Sequence, residues 1–253
     1  MKNLCSHWWK RLLLGATLVI PAHAALASDF QVNPVRIDLD EKTRTALLAV
    51  HNTSPEAVRL QVSMYTWSQD AQGKVDLTPT QELSYFPSLL TVEPGQARNV
   101  RVGGLIAAGV AEKAYRIIVE QLPAGTAPGE GSQLRMLTRM SIPVFVAPTV
   151  HSPNGKIEHL ELMDGKVSFS LRNTGNTHVF AKQARIRGLD SEGRSLFDKS
   201  QAGWYVLAGE ERQFSLEVPG EQCRRLQSLS VEVSTDSGTF PATAAVAGAH
   251  CGS

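Results

Sequence analysis

Periodicity constrains this chain more than any other feature. From Phe30 to Ala247, short runs rich in Val, Ile, Leu, Thr and Phe alternate with turn residues. No stretch holds a long 3.6-residue apolar period with caps at both ends. Strands are predicted over residues 30–39, 46–51, 58–67, 83–90, 98–102, 114–122 and 134–146. A second set is predicted over 157–163, 167–172, 178–188, 195–199, 204–207, 212–218, 226–233 and 238–247. About seven strands per roughly 110 residues is the spacing of a β-sandwich, so the expected class is all-β.

The strands fall into two halves. Val144 to Val150 ends one apolar run, and His151-Ser152-Pro153-Asn154-Gly155 punctuates before the next. The boundary is expected at Pro148, giving domains over 28–147 and 148–253. The halves also echo each other: Leu47 to Thr53 and Ser168 to Thr174 are both alternating strands that end in Asn-Thr. Asn is read there as a residue that tolerates the turn conformation.

Residues 1–27 form a segment of another kind. Lys2, Lys10 and Arg11 precede the apolar run Leu12 to Ile20, and Ala22-His23-Ala24 and Ala25-Leu26-Ala27 offer small residues for cleavage. That order is a secretory signal peptide, too short in its apolar part to span a bilayer. No other segment reaches eighteen apolar residues, so no membrane span is expected in the mature chain. Of the three cysteines, Cys5 leaves with the signal. Cys223 and Cys251 remain, an even pair in an exported chain, which reads as one disulfide; two free thiols are the alternative. The formal net charge of +1 lacks the basic excess that phosphate neutralisation calls for, so no nucleic-acid partner is expected.

Signatures of chemistry are missing from the spacing. His51, His151, His159, His178 and His250 form no H-x-H, H-x3-H or Cys-His cluster, so no metal is predicted, although a sandwich can gather distant ligands. There is no G-x-S-x-G, no P-loop and no G-x-G-x-x-G opening a helix. Asp38 and Asp40 share a strand face but read better as part of a solvated turn with Glu41 and Lys42. The Gly-rich stretch from Pro123 to Ser132 has no lysine and no helix start, and reads as a flexible connection. No cofactor and no enzymatic activity are expected.

The predicted strand 134–146 is long against a usual five or six residues. Leu134, Met136, Thr138, Met140 and Ile142 alternate onto one face, Arg135, Leu137, Arg139 and Ser141 onto the other. Exposed edges are normally blunted because they template association. A long apolar row beside a flexible connection suits β-augmentation of another chain, and an ordinary buried strand is the competing interpretation.

The sequence resembles the periplasmic chaperones of the chaperone–usher pilus pathway, the Pap-type fimbrial chaperones. The resemblance rests on Asn33-Pro34-Val35-Arg36-Ile37, Asn52, Leu90-Thr91-Val92-Glu93-Pro94-Gly95-Gln96 leading to Val100-Arg101-Val102, Tyr115 to Pro123, and Ser141 to Val146. It runs through the whole first half in order, while the second half matches mainly in size and strand pattern. The Tyr115-Arg116 pair and the Ser141-Ile142-Pro143-Val144-Phe145 ending look more like the archaic branch of that family.

The resemblance implies two immunoglobulin-like sandwiches set as an L with a cleft between them. It implies a periplasmic chaperone that binds, folds and caps pilin subunits by lending them a strand, then delivers them to an outer-membrane usher. The donor row would be Leu134, Met136, Thr138 and Met140. A client's C-terminal carboxylate would be anchored by Arg36, which matches the family's first-strand cleft arginine. A planar guanidinium meets a carboxylate with two parallel bonds. Where the better-known branch has a lysine near the end of the donor strand, this chain has Pro143, a departure. Arg116 is the candidate second cation, with a surface ion pair to Glu112 or Glu120 as its alternative, and Arg139 the third. An open edge would also allow self-association. Two rivals remain: a secreted adhesion or carbohydrate-binding sandwich, which predicts exposed clustered aromatics, and a metal-dependent sandwich enzyme, which predicts convergent histidines.

Overall fold

Alternating burial is what the strand pattern dictates, and the computed structural model displays it over residues 29–104, 109–123, 136–246 and 251, the residues described here. The expected signal segment and Leu134 lie outside them. In the first half the strands are β1 (Phe30–Asn33), β2 (Ile37–Leu39), β3 (Thr45–Asn52), β4 (Val58–Gln69), β5 (Val75–Pro79), β6 (Ser84–Phe86), β7 (Leu89–Val92), β8 (Ala97–Gly103), β9 (Lys113–Gln121) and β10 (Arg139–Val146). In the second they are β11 (Gly155–Met163), β12 (Lys166–Asn173), β13 (Val179–Leu189), β14 (Ser195–Ala202), β15 (Tyr205–Val206) and β16 (Glu211–Glu217), then a short helix α1 (Gly220–Arg225), then β17 (Ser228–Thr235) and β18 (Thr239–Ala245).

Two sheets face each other in the first half, ordered β1-β3-β8-β6 and β2-β10-β9-β4-β5, with β7 also on β4. Phe30, Leu48, Val50, Val100 and Val102 from one sheet meet Leu60, Val62, Met64, Ile117, Val119, Ile142 and Val144 from the other in a single buried core. The second half repeats the plan with β11-β12-β16 against β14-β13-β17-β18 and a second core around Val167, Phe169, Leu171, Ile186 and Val231. Among the described residues, every strand pairing stays within residues 30–146 or within 155–245.

Two predicted strands are each divided. Residues 30–39 form β1, which pairs with β3, and β2, which pairs parallel with β10 in the facing sheet. Residues 83–90 likewise give β6 on β8 and the start of β7 on β4. The change of sheet falls at Pro34 and at Pro87, residues with no N–H for a ladder. β5 and α1 are elements the periodicity does not announce.

The Asn-Thr echo is real but does different work from the expected turn. Asn52 and Asn173 are buried to 0% and 1% exposure. Each lies outside the left-handed region, which among the described non-glycine residues holds only His159 and Asp164. The Asn52 amide donates to the Glu56 and Val92 carbonyls at 2.7 and 2.8 Å, and its oxygen accepts from the Ser54 N–H. The Asn173 amide donates to Thr177 and Val206 at 2.7 and 3.0 Å, and its oxygen accepts from Gly175. Each side chain closes the strand end onto a strand of the same sandwich. Asn173→Ala is expected to lower unfolding stability by about 3 kcal/mol, the order of cost for leaving buried carbonyls and an N–H unmet. Urea denaturation checks this, and an unchanged midpoint would refute the role.

Cys223, on α1, and Cys251 are joined in a disulfide that ties the chain's last described residue to the second core. Cys223→Ser is expected to cost about 3 kcal/mol in oxidising buffer and close to nothing once wild type is also reduced. Equal losses in both buffers would mean that the thiol's packing, not the cross-link, matters.

Candidate cleft between the two sandwiches

Two of the three predicted cations lie at the junction of the halves. Arg36 lies in the link from β1 to β2, with its side chain 42% exposed and its Nε donating to Asp38 Oδ2 at 2.9 Å. It lines a cavity of about 310 Å³ together with Asp38, Phe145, His151, His178 and Asp236. Burial opposes its charge, but the Asp38 carboxylate and the Tyr205 hydroxyl outweigh it and raise its pKa.

Arg116 sits on β9 directly opposite Pro143 of β10. It is buried to 5% exposure. Its guanidinium lies 3.7 Å above the Trp67 ring and donates from Nη1 to the Ser141 carbonyl at 3.3 Å. Neither expected acidic partner reaches it: Glu112 accepts from His178 Nδ1 and the His178 N–H at 2.8 and 3.0 Å, and Glu120 faces Arg139. Its Nε, like the neighbouring Trp67 Nε1, has no hydrogen-bond partner among the described residues. Burial pushes its pKa down to about 10, with the Tyr205 hydroxyl acting in the opposite sense, so it is charged at neutral pH. A desolvated cation without a counter-ion is costly unless something supplies the anion.

Arg139 is not part of this group. It lies at the start of β10, half exposed, with Nε 3.9 Å from Glu120 Oε2. Four residue steps of strand separate it from Pro143, roughly 13 Å.

β10 itself differs from the predicted strand. It begins at Arg139, and residues 136–138 carry no regular pairing beyond the Gln121 N–H bond to the Thr138 carbonyl and the Thr138 N–H bond to the Gln121 side chain. The reason is the neighbour: β9 ends at Gln121 and Pro123 soon follows, so the chain before Arg139 runs past its partner. The apolar row is divided at the same point. Met140 packs on the first core beside Ile142, Val144 and Val146, whereas Met136 is 69% exposed and Thr138 is half-buried. On its outer side β10 is paired with β2 only over Val144 to Val146. From Arg139 to Pro143 no strand covers that side among the described residues, and a proline is tolerated on such an edge.

The residues the sequence did not single out are aromatic. Aromatics are only 6% of the chain. Trp67 and Phe145 of the first sandwich nonetheless meet Tyr205 and His178 of the second: Trp67–Tyr205 at 5.7 Å edge-on, Phe145–His178 stacked at 3.8 Å, and Phe145–Tyr205 at 5.6 Å. Gly203 makes the approach of β15 possible, since a Cβ there would stand 2.3 Å from the Ala181 carbonyl oxygen. Gln69 clasps the same strand, donating to the Tyr205 carbonyl at 3.1 Å and accepting from the Leu207 N–H at 3.2 Å. The cluster is mostly buried at the junction, with Trp204 42% exposed beside it, which is not the open aromatic platform expected of a carbohydrate-binding module.

Residues 29–151 match the model of the pili and flagellar-assembly chaperone family, PapD N-terminal domain. This segment is an N-terminal domain of the pilus-assembly chaperone type. Solved structures share the fold of this chain. One is a chain of the chaperone–tip adhesion subunit pre-assembly complex of the archaic chaperone–usher Csu pili of Acinetobacter baumannii, at 17% identity and TM-score 0.58 over 85% of this chain and 97% of that one. Another is the class 5 fimbriae chaperone CfaA, at 12% and 0.56 over 85% and 98%. A third comes from the Salmonella enterica SafA pilin–SafB chaperone complex, at 16% and 0.53 over 87% and 99%. No curated protein matches the chain in sequence.

Proposed function

We propose that this chaperone is exported to the periplasm, where it binds, folds and caps pilin subunits by donor-strand complementation and hands them to an outer-membrane usher. The carrying observation is the open edge of β10 from Arg139 to Pro143, which leads straight to Arg116 and the junction cavity. An extended client segment laid on that edge gains main-chain hydrogen bonds, and its side chains are held in register by what lies at the end of the strand. Met136, exposed beyond the last partnered residue, and Leu134 before it would fill the client's groove; a thioether adapts to several related grooves. Thr138 and Met140 continue the row toward the sandwich. Residues 136–138, beyond the end of β9, gain a sheet partner when a client arrives.

In this proposal Arg36 and Arg116 hold the client's terminal carboxylate, which supplies the anion that Arg116 lacks. Arg139 stands too far along the strand to share it and contributes a rim charge. Residues 1–27 act as the export signal, and the sandwiches over 28–147 and 148–253 form two walls of the site. The A. baumannii complex is named as a chaperone with a tip adhesion subunit of archaic pili, and the S. enterica complex as a chaperone with a pilin. Both support pilin-type clients here, and the Tyr115-Arg116 pair supports the archaic branch. No step calls for a nucleotide or another cofactor.

The test is co-expression with the adjacent exported subunit and isolation of the pair from periplasmic extract. A one-to-one complex is expected, with the Arg139 and Ser141 amides, which face away from β9, protected from hydrogen exchange only when the client is bound. A complex that leaves those amides as exchangeable as in the free chain would overturn the donor-strand mode.

A further inference from the structure

Arg36 reaches the junction from the first sandwich beside the cavity, and Arg116 reaches it from β9 over Trp67. The side chain between them belongs to the other sandwich. Tyr205 packs edge-on against the same Trp67 ring that carries Arg116, and against Phe145, which lines the cavity with Arg36. The ring therefore stands between the Trp67–Arg116 stack and the cavity that Arg36 lines, and its hydroxyl favours the charge of both guanidiniums.

The ring is held from all sides. Phe180 and Trp204 meet it edge-on at 4.8 and 5.6 Å, His178 stands at 5.4 Å, and the backbone carbonyl of Tyr205 is bound by Gln69. Its hydroxyl is therefore fixed in place before any ligand arrives.

The chemistry of that hydroxyl is one-sided. A guanidinium only donates hydrogen bonds, so toward Arg36 and Arg116 the phenol oxygen can act only as acceptor. Its own proton is left over, and no hydrogen bond among the described residues consumes it. A donor with an unspent proton, flanked by two cations, is built to meet an acceptor that carries negative charge.

We propose that Tyr205 is a third member of the carboxylate site, donating its O–H to the terminal carboxylate of the client while Arg36 and Arg116 bind the same group. This rests on the carboxylate-anchor reading above and adds to it. The site then has two donors from the first sandwich and one from the second, so it is complete only when β15 is docked against Trp67. Client binding thereby reports on, and reinforces, the seating of one sandwich against the other.

Tyr205→Phe keeps the ring in its aromatic nest and removes only the hydroxyl. The full exported chain is titrated with a synthetic peptide copying the last twelve residues of the co-purified subunit, made once with a free terminal carboxylate and once as the amide. Wild type is expected to prefer the acid, and Tyr205→Phe to lose about tenfold of that preference, the worth of one hydrogen bond to a charged group. Amide binding and melting temperature are expected to stay as in wild type because the ring and its packing remain; a purely structural role of the ring would leave the acid preference unchanged as well. If Tyr205→Phe keeps the full acid preference while Arg36→Ala loses it, the Tyr205 assignment is overturned and the two-arginine anchor stands. If neither Arg36→Ala nor Arg116→Ala changes the acid-to-amide ratio, the anchor itself falls, and Tyr205 with it.

Discussion

Arg36→Ala and Arg116→Ala are each expected to cut recovery of a co-expressed pilin subunit from periplasmic extract by about a hundredfold, the scale of losing a charge-assisted bidentate contact at about 3 kcal/mol. Both variants are expected to change the stability of the free protein little, for different reasons. Arg36 is part-exposed and its ion pair among the described residues is the surface one with Asp38, so its removal is expected to leave stability within about 0.5 kcal/mol of wild type. Arg116 is buried on Trp67 with an unmet Nε, so relieving its desolvation offsets the packing that alanine loses. Thermal melting and pull-down yield on the same preparations read both quantities. Normal subunit recovery from both variants would remove the anchor from the proposal.

Met136→Asp is the second large effect. Met136 makes no core contact in the free chain and is 69% exposed, so the folded monomer is expected to keep its melting temperature. In the complex the same position would enter an apolar groove. Losing a buried methionine and desolvating a carboxylate together are expected to weaken the complex by about two orders of magnitude or more. Met140→Asp is the informative contrast. That side chain packs on the first core, so its substitution is expected to destabilise the chaperone itself. A client complex that forms normally with Met136→Asp would mean that the row before Arg139 is not what the subunit takes up.

Much of the fold is legible along the chain because strand alternation is a local property. Each residue from Val58 to Met64 reports its own face without reference to any other segment. The divisions at Pro34 and Pro87 were legible too, had the missing N–H been weighed as a change of ladder and not only as a turn. β9 carried another signal. Tyr115 to Val119 are five consecutive buried residues, and Arg116 and Ile118 lie on the face away from the first core. An unbroken run of that kind marks a strand covered on both sides. It was the clue that Arg116 is not a surface charge.

The extent of β10 was beyond the sequence for a different reason. Residues 136–138 have the composition of a strand, but a strand exists only where a neighbour offers N–H and C=O groups, and β9 ends first.

The chain's own alphabet therefore determined the all-β class, the number of strands to within a few, and Arg36 as a cation of interest through family likeness. Tertiary structure alone decided that Trp67, Arg116, Phe145 and Tyr205 share one place. Trp67 and Tyr205 are 138 residues apart, and their meeting depends on the register of β4, β9 and β10, on the seating of β15 allowed by Gly203, and on the Gln69 clasp. Periodicity records which face a side chain takes; only the packed registers record what stands opposite it.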